Sequence, residues 1–122
     1  MLFPQLRDKS FGHINLENEA KKWHTKNRPP NNLVRNFKRE NPFLDPQKCQ
    51  QIIDEIHKEI GIVWSYGGYL EERKTLWQGS YLEKDRKFVH LGHDFNVPAE
   101  TEIAAMFDST ILRIDDDKDQ DG

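Results

Sequence analysis

Asp45-Pro46-Gln47-Lys48-Cys49-Gln50-Gln51-Ile52-Ile53-Asp54-Glu55-Ile56-His57-Lys58-Glu59-Ile60-Gly61-Ile62-Val63-Trp64-Ser65-Tyr66 passes from one apolar period to another, and that change decides the fold class. In its first part Asp45 can cap a helix, Pro46 suits the first helical position, and Gly61 supplies the stop. Cys49, Ile52, Ile53, Ile56 and Ile60 recur at helical spacing, while Gln50, Gln51, Asp54, Glu55, Lys58 and Glu59 make a polar face. The spacing predicts an amphipathic helix over Asp45 to Ile60, with Cys49 in its apolar stripe and His57 on the flank. Those positions make Cys49 a core residue rather than a nucleophile, and His57 a solvated or edge-packed residue rather than a metal ligand. From Ile62 the residues are β-branched and aromatic until Gly67-Gly68 interrupts them, which reads as a strand. Trp77 to Tyr81, Phe88 to Leu91, Phe95 to Val97, Glu102 to Phe107 and Thr110 to Ile114 are further strand candidates, the last two joined by an Asp108-Ser109 turn. The expected fold is α+β: a mainly antiparallel β-sheet with one amphipathic helix and an irregular N-terminal arm.

That arm is residues 1–44. It is polar, broken by Pro4, Pro29-Pro30 and Asn31-Asn32, and holds no period for long. A short helix over Glu17 to Lys26 is its one expected element, stopped by Arg28-Pro29-Pro30. Residues 45–122 then form the helix plus β-rich domain. The 122 residues allow one ordinary domain. Eighteen Lys and Arg against 21 Asp and Glu leave no basic excess to hold a nucleic-acid backbone. No apolar run approaches the roughly 20 residues of a membrane span. A single cysteine excludes an internal disulfide framework, and no signal peptide is visible, so the expected compartment is the cytoplasm.

The chemistry concentrates in Phe88-Val89-His90-Leu91-Gly92-His93-Asp94-Phe95-Asn96-Val97-Pro98. Imidazole and carboxylate are both zinc ligands. In a fully extended strand His90 and Asp94 would be about 13 Å apart at roughly 3.3 Å per residue. Two donors on one tetrahedral zinc sit about 3–3.5 Å apart, so the chain must bend, and Gly92 is the residue that tolerates it. Alternation puts His90 and Asp94 on one side and His93 on the other, which makes His93 a supporting residue or an alternative ligand. Ordinary polar residues at a strand end are the competing reading.

The ordered set His90-Leu91-Gly92-His93-Asp94-Phe95-Asn96-Val97-Pro98-Ala99, Thr101-Glu102-Ile103-Ala104-Ala105 and Asp108-Ser109-Thr110-Ile111-Leu112-Arg113-Ile114 resembles the N-terminal half of the catalytic domain in lysostaphin-type zinc metallopeptidases. Those enzymes hydrolyse peptide bonds of bacterial peptidoglycan. The resemblance spans about a quarter of the chain. It implies that His90 and Asp94 are the first two zinc ligands, that the fold is an antiparallel sheet with an open groove, and that the partner is a peptide or peptidoglycan. The sequence departs from the family at Glu100 and Ser109, where the family carries glycine. It also has no histidine after His93, whereas the family completes its site with a later His-x-His pair. The metal site is therefore expected to be incomplete and the domain truncated at its C-terminus, which makes the chain a poor hydrolase. The alternative is a catalytically inactive binding module that keeps the peptidase-like fold.

Two weaker motifs complete the reading. Asp117-Lys118-Asp119-Gln120-Asp121-Gly122 matches the opening of a calcium loop, with Asp117, Asp119 and Asp121 as ligands, but it lacks the later glutamate; a solvated acidic tail is the alternative. Trp64, Tyr66, Tyr69, Trp77 and Tyr81 precede the histidine motif and are candidates to line a groove for a glycan or peptide. No phosphate loop, dinucleotide fingerprint or nucleophile elbow is present.

Overall fold

A computed structural model describes residues 1–28 and 40–115. Within them the chain is α+β. It folds as two compact units, one of Lys9–Ala99 and a smaller one made of Met1–Asp8 with Glu100–Gly122. The larger unit carries β1 (Phe11–His13), α1 (Leu16–Lys26), α2 (Pro46–Ile60), β2 (Trp64–Gly67), β3 (Glu71–Glu72), α3 (Tyr81–Lys84), β4 (Val89–His90) and β5 (Asp94–Asn96). One sheet has the order β1-β2-β5, with β1 parallel to β2 and β5 antiparallel to it; β3 and β4 form a second, antiparallel pair.

Helix α2 follows the sequence reading in its bounds and caps, but Ile60, expected in the apolar stripe, is exposed, and His57, expected on the flank of that stripe, is buried. Asp45 accepts from the Gln47 and Lys48 amides, Pro46 opens the helix, and Gly61 closes it at φ 74°. Its stripe is buried at Ile53, against Ile14, Leu16, Ala20, Phe43 and Leu76, with Cys49, Ile52 and Ile56 packed alongside. Four of those partners precede residue 45. The stretch expected as an irregular arm thus supplies a strand, an 11-residue helix capped by Asn15, and part of the core.

Other expectations differ. Trp77 to Tyr81 is no strand: the chain turns through residues 74–80 and Tyr81 opens α3. The turn is held from a distance. The buried Glu17 carboxylate accepts from the Thr75 and Leu76 amides at 2.9–3.1 Å, and Asn41 donates to the Leu76 and Gln78 carbonyls at 2.8 and 3.0 Å. Burial acts to raise the Glu17 pKa, but these backbone donors outweigh it and hold the carboxyl below its usual range. Residues 102–107 and 110–114 form no strand either. Phe107, Ile111, Leu112 and Ile114 are all at least 79% exposed, so there is no buried face to stabilise a hairpin. In this smaller unit the Ala104 amide donates to Leu2 and the Glu102 amide to Gln5. The Asp117, Asp119, Asp121 motif lies outside the described residues.

Behind the sheet, His57 on α2 meets fully buried Ser65 at 2.8 Å, and Asn96 donates to the same Ser65 oxygen at 3.0 Å. Ser65 thus has its proton free for the His57 Nε2 lone pair, which suits a neutral ring. Burial pushes the His57 pKa below its usual value, although Asp54 acts in the opposite direction. With the folded-state value depressed, the unfolded chain takes up the proton first as pH falls below about 6.5. Stability contributed by His57 is therefore full above that pH and lost as pH falls through the folded value. His57→Leu is expected to flatten the pH dependence of the urea midpoint between about pH 7 and 5; identical slopes in both proteins would refute this.

Candidate functional site

The site forms where the chain twice crosses between the two sheets. After β2 it crosses at Gly68-Tyr69-Leu70 to enter β3, and after β4 it returns through Leu91-Gly92-His93 to enter β5. Register places Glu71 opposite His90 and Gly67 opposite Asp94. These pairings fix His90 and Asp94 on either side of one junction.

His90 Nδ1 lies 3.1 Å from the Gly68 carbonyl. A carbonyl only accepts, so Nδ1 carries the proton, and in the neutral ring Nε2 presents its lone pair. Nε2 is 3.6 Å from Asp94 Oδ1. The other oxygen, Asp94 Oδ2, accepts from Arg73 Nη2. Arg73 is buried, donates through Nε to Glu71 at 3.1 Å, and sits 5.6 Å over the Trp77 ring; Trp77 in turn meets His90 edge-on at 6.0 Å. The Glu71 carboxylate also accepts the Glu17 amide in the first turn of α1 at 3.0 Å, where a negative charge suits the helix N-terminus. One carboxylate oxygen and one imidazole nitrogen are thus left facing each other, each oriented by a hydrogen bond from its other atom.

Two glycines make the junction possible, in different ways. Gly68 has φ 93°, and a Cβ there would lie 2.7 Å from Arg73 Nη2, 2.7 Å from His90 Nδ1 and 2.8 Å from Asp94 Oδ2. Gly92, expected to supply an unusual backbone angle, is not in the left-handed region. It provides room instead: a Cβ would stand 3.3 Å from both Cε1 and Nε2 of His90. Of the two positions where the family carries glycine, Glu100 does adopt a left-handed backbone (φ 63°), which costs a non-glycine residue about 1 kcal/mol, whereas Ser109 does not.

The remaining sequence candidates disperse. His93 stacks on Tyr69 at 5.0 Å and lines the cleft beside Asp94. Of the groove aromatics only Trp77 touches the cluster; Trp64 and Tyr66 occupy the other face of the sheet from Asp94, and Tyr81 is exposed on α3. Beside Arg73, Asp94 and Trp77 a cleft of about 420 Å³ opens, floored by the apolar Leu16, Phe43, Ile53 and Leu76. Cys49 also lines it, but burial pushes its thiol pKa up, away from the reactive thiolate. Sequence reasoning missed Glu17, Glu71 and Arg73, which lie in no local motif.

The donor set fits half of a zinc centre. The 3.6 Å separation is close to the spacing of two ligands on one tetrahedral ion, and imidazole Nδ1–H on a backbone carbonyl with a hydrogen-bonded carboxylate is the usual support of such ligands. Among the described residues no group of three His, Cys, Asp or Glu side chains is placed to hold a metal, and no helix is long and apolar enough to cross a membrane. The structure thus defines an α+β domain with an oriented His–Asp pair beside an apolar cleft. No protein-family model, curated protein or solved structure matches the chain.

Proposed function

We propose that this chain carries the first half of a zinc-peptidase centre, with His90 Nε2 and Asp94 Oδ1 as its two ligands. The observation that carries the reading is the 3.6 Å gap between those atoms, both turned by hydrogen bonds on their far sides. Zinc in a complete centre polarises the scissile carbonyl and lowers the pKa of bound water. Here the Gly68 carbonyl fixes the tautomer of His90, and Arg73 holds the Asp94 carboxylate in place through Oδ2. The resemblance to lysostaphin-type enzymes makes a peptide bond of peptidoglycan the substrate of a completed centre. A third ligand and a group to handle protons are needed for hydrolysis. The chain alone therefore binds zinc weakly and leaves peptidoglycan intact.

One observation favours the second reading, an inactive binding module: Asp94 already has a cationic partner in the Arg73 guanidinium, which it shares with Glu71, and so is paired without an ion. Equilibrium dialysis against zinc at neutral pH separates the two. The half-site reading expects at most one equivalent bound, weakened tenfold or more in both His90→Ala and Asp94→Asn. No binding, or binding indifferent to both substitutions, rejects it in favour of the module.

A further inference from the structure

A second cleft, of about 400 Å³, opens between α2 and the end of β5 within the larger unit, and neither His90 nor Asp94 lines it. Helical spacing brings Gln50, Asp54 and His57 to it from one face of α2, and Asn96, Val97 and Val63 line it from the sheet side. His57 is only 8% exposed, and its Nε2 is engaged by the Ser65 hydroxyl. Ser65 itself is fully buried, so no substrate reaches its oxygen and the two residues are not a nucleophilic dyad. The Ser65 hydroxyl fixes the tautomer instead: with Nε2 accepting, Nδ1 carries the proton and points away from Ser65. Among the described residues no hydrogen bond engages that N–H. The carboxylate one helical turn earlier is also uncommitted. Asp54 Oδ1 accepts from Gln50 Nε2 at 2.7 Å, and among the described residues no Lys or Arg pairs with it. Asn96 spends an amide N–H on Ser65, which leaves its side-chain carbonyl as a further acceptor.

We infer that this cleft binds a planar lactam with two N–H donors beside its carbonyl, the edge that guanine presents, as the free base or its nucleoside. The carbonyl accepts from His57 Nδ1–H, and the ring N–H and the amino group donate to the two Asp54 oxygens. Gln50 uses one lone pair of Oδ1, which steadies the carboxylate and leaves both oxygens able to accept. Residues three apart on a helix stand about 5–6 Å apart at Cβ, the scale of one base edge. The volume lies in the range of small-molecule sites, and Val63 and Val97 give a flat ring apolar walls. Other occupants fit less well. Adenine sets a ring acceptor against the carboxylate. A guanidinium or an ammonium satisfies Asp54 but gives His57 Nδ1–H no acceptor. A metal ion needs the Nδ1 lone pair, which the proton occupies while Ser65 engages Nε2. Phosphate gains nothing, because no Lys or Arg lines the cleft. The inference does not rest on the zinc reading.

Titrating the intact chain with guanosine at neutral pH, and following the histidine-ring and backbone-amide signals by NMR, tests it. Binding is expected by about 1 mM, with shifts at His57 Nδ1 and at the Val63 and Val97 amides. Inosine, which lacks the amino group, should bind about tenfold more weakly, and adenosine should not bind. Because His57 is buried, the test rests on Asp54→Asn rather than on removing the ring. Asp54 is exposed, so this variant should keep its urea midpoint while losing guanosine affinity tenfold or more. Glu55→Gln, an exposed neighbour outside the cleft, should change nothing. The inference is overturned by no shift with guanosine at about 1 mM, by inosine or adenosine binding as well as guanosine, or by equal loss in Glu55→Gln. Guanosine 5′-monophosphate binding tenfold more tightly than guanosine would also overturn it, since phosphate rather than the base edge would then be the group recognised.

Discussion

Arg73→Ala is expected to lower the free energy of unfolding by about 3–5 kcal/mol, the cost of leaving buried charge without its partner. The side chains of Arg73 and Glu71 are 6 and 4% exposed, and the same guanidinium holds Asp94. Truncation strands the Glu71 carboxylate next to the first turn of α1, where only the Glu17 amide still donates to it. It also frees Asp94, and the loss spreads to the turn over Trp77, on whose ring the guanidinium rests. Urea denaturation checks the size of the effect. A double-mutant cycle with Glu71→Ala should return a coupling above about 1 kcal/mol, since the two groups share one network. A loss below about 1 kcal/mol for Arg73→Ala would mean that water, not Glu71 and Asp94, solvates the guanidinium.

Gly68→Ala is the second large effect and reaches the site directly. Its φ of 93° alone costs an alanine about 1–2 kcal/mol, and the new Cβ would press on Arg73, His90 and Asp94 at once. Gly79 provides the control. It has a similar φ of 90°, but a Cβ there meets only Leu44 at an ordinary 3.6 Å. Gly79→Ala should therefore show the backbone strain with zinc retention unchanged, while Gly68→Ala should destabilise further and abolish zinc retention. Equal urea midpoints for the two variants would show that nothing is crowded at Gly68.

What the sequence made legible follows the range of the forces involved. Helix α2 is written locally: its cap, its opening proline, its apolar stripe and its terminal glycine lie within 17 residues, and each acts where the pattern puts it except Ile60 at the end of the stripe, which is exposed. The nearness of His90 and Asp94 does not come from alternation along one strand, because Leu91-Gly92-His93 crosses between the two sheets; it comes from the pairing of Glu71 with His90 and of Gly67 with Asp94. Arg73, Glu71 and Glu17 carry no local signature either, because Glu17 meets its partners 54 to 59 residues along the chain. Strand β1 is three residues long and pairs in parallel with a segment some 50 residues away, so no period announces it. Residues 102–114 err in the opposite direction: their β-branched and apolar side chains favour strands, but propensity without a face to bury does not make a sheet. Gly92 was informative for the wrong reason, since its missing side chain matters more than its backbone freedom.

Nitrogen-15 NMR of the histidine rings during zinc titration tests the pairing of His90 with Asp94 most directly, because it reads each ring nitrogen separately. The expected result is a protonated Nδ1 on His90 before zinc is added, then a zinc-dependent shift at His90 Nε2 that disappears in Asp94→Asn while His13, His24 and His57 stay unmoved. A His90 proton on Nε2, or zinc shifts that fall on other histidines and ignore Asp94, would contradict it.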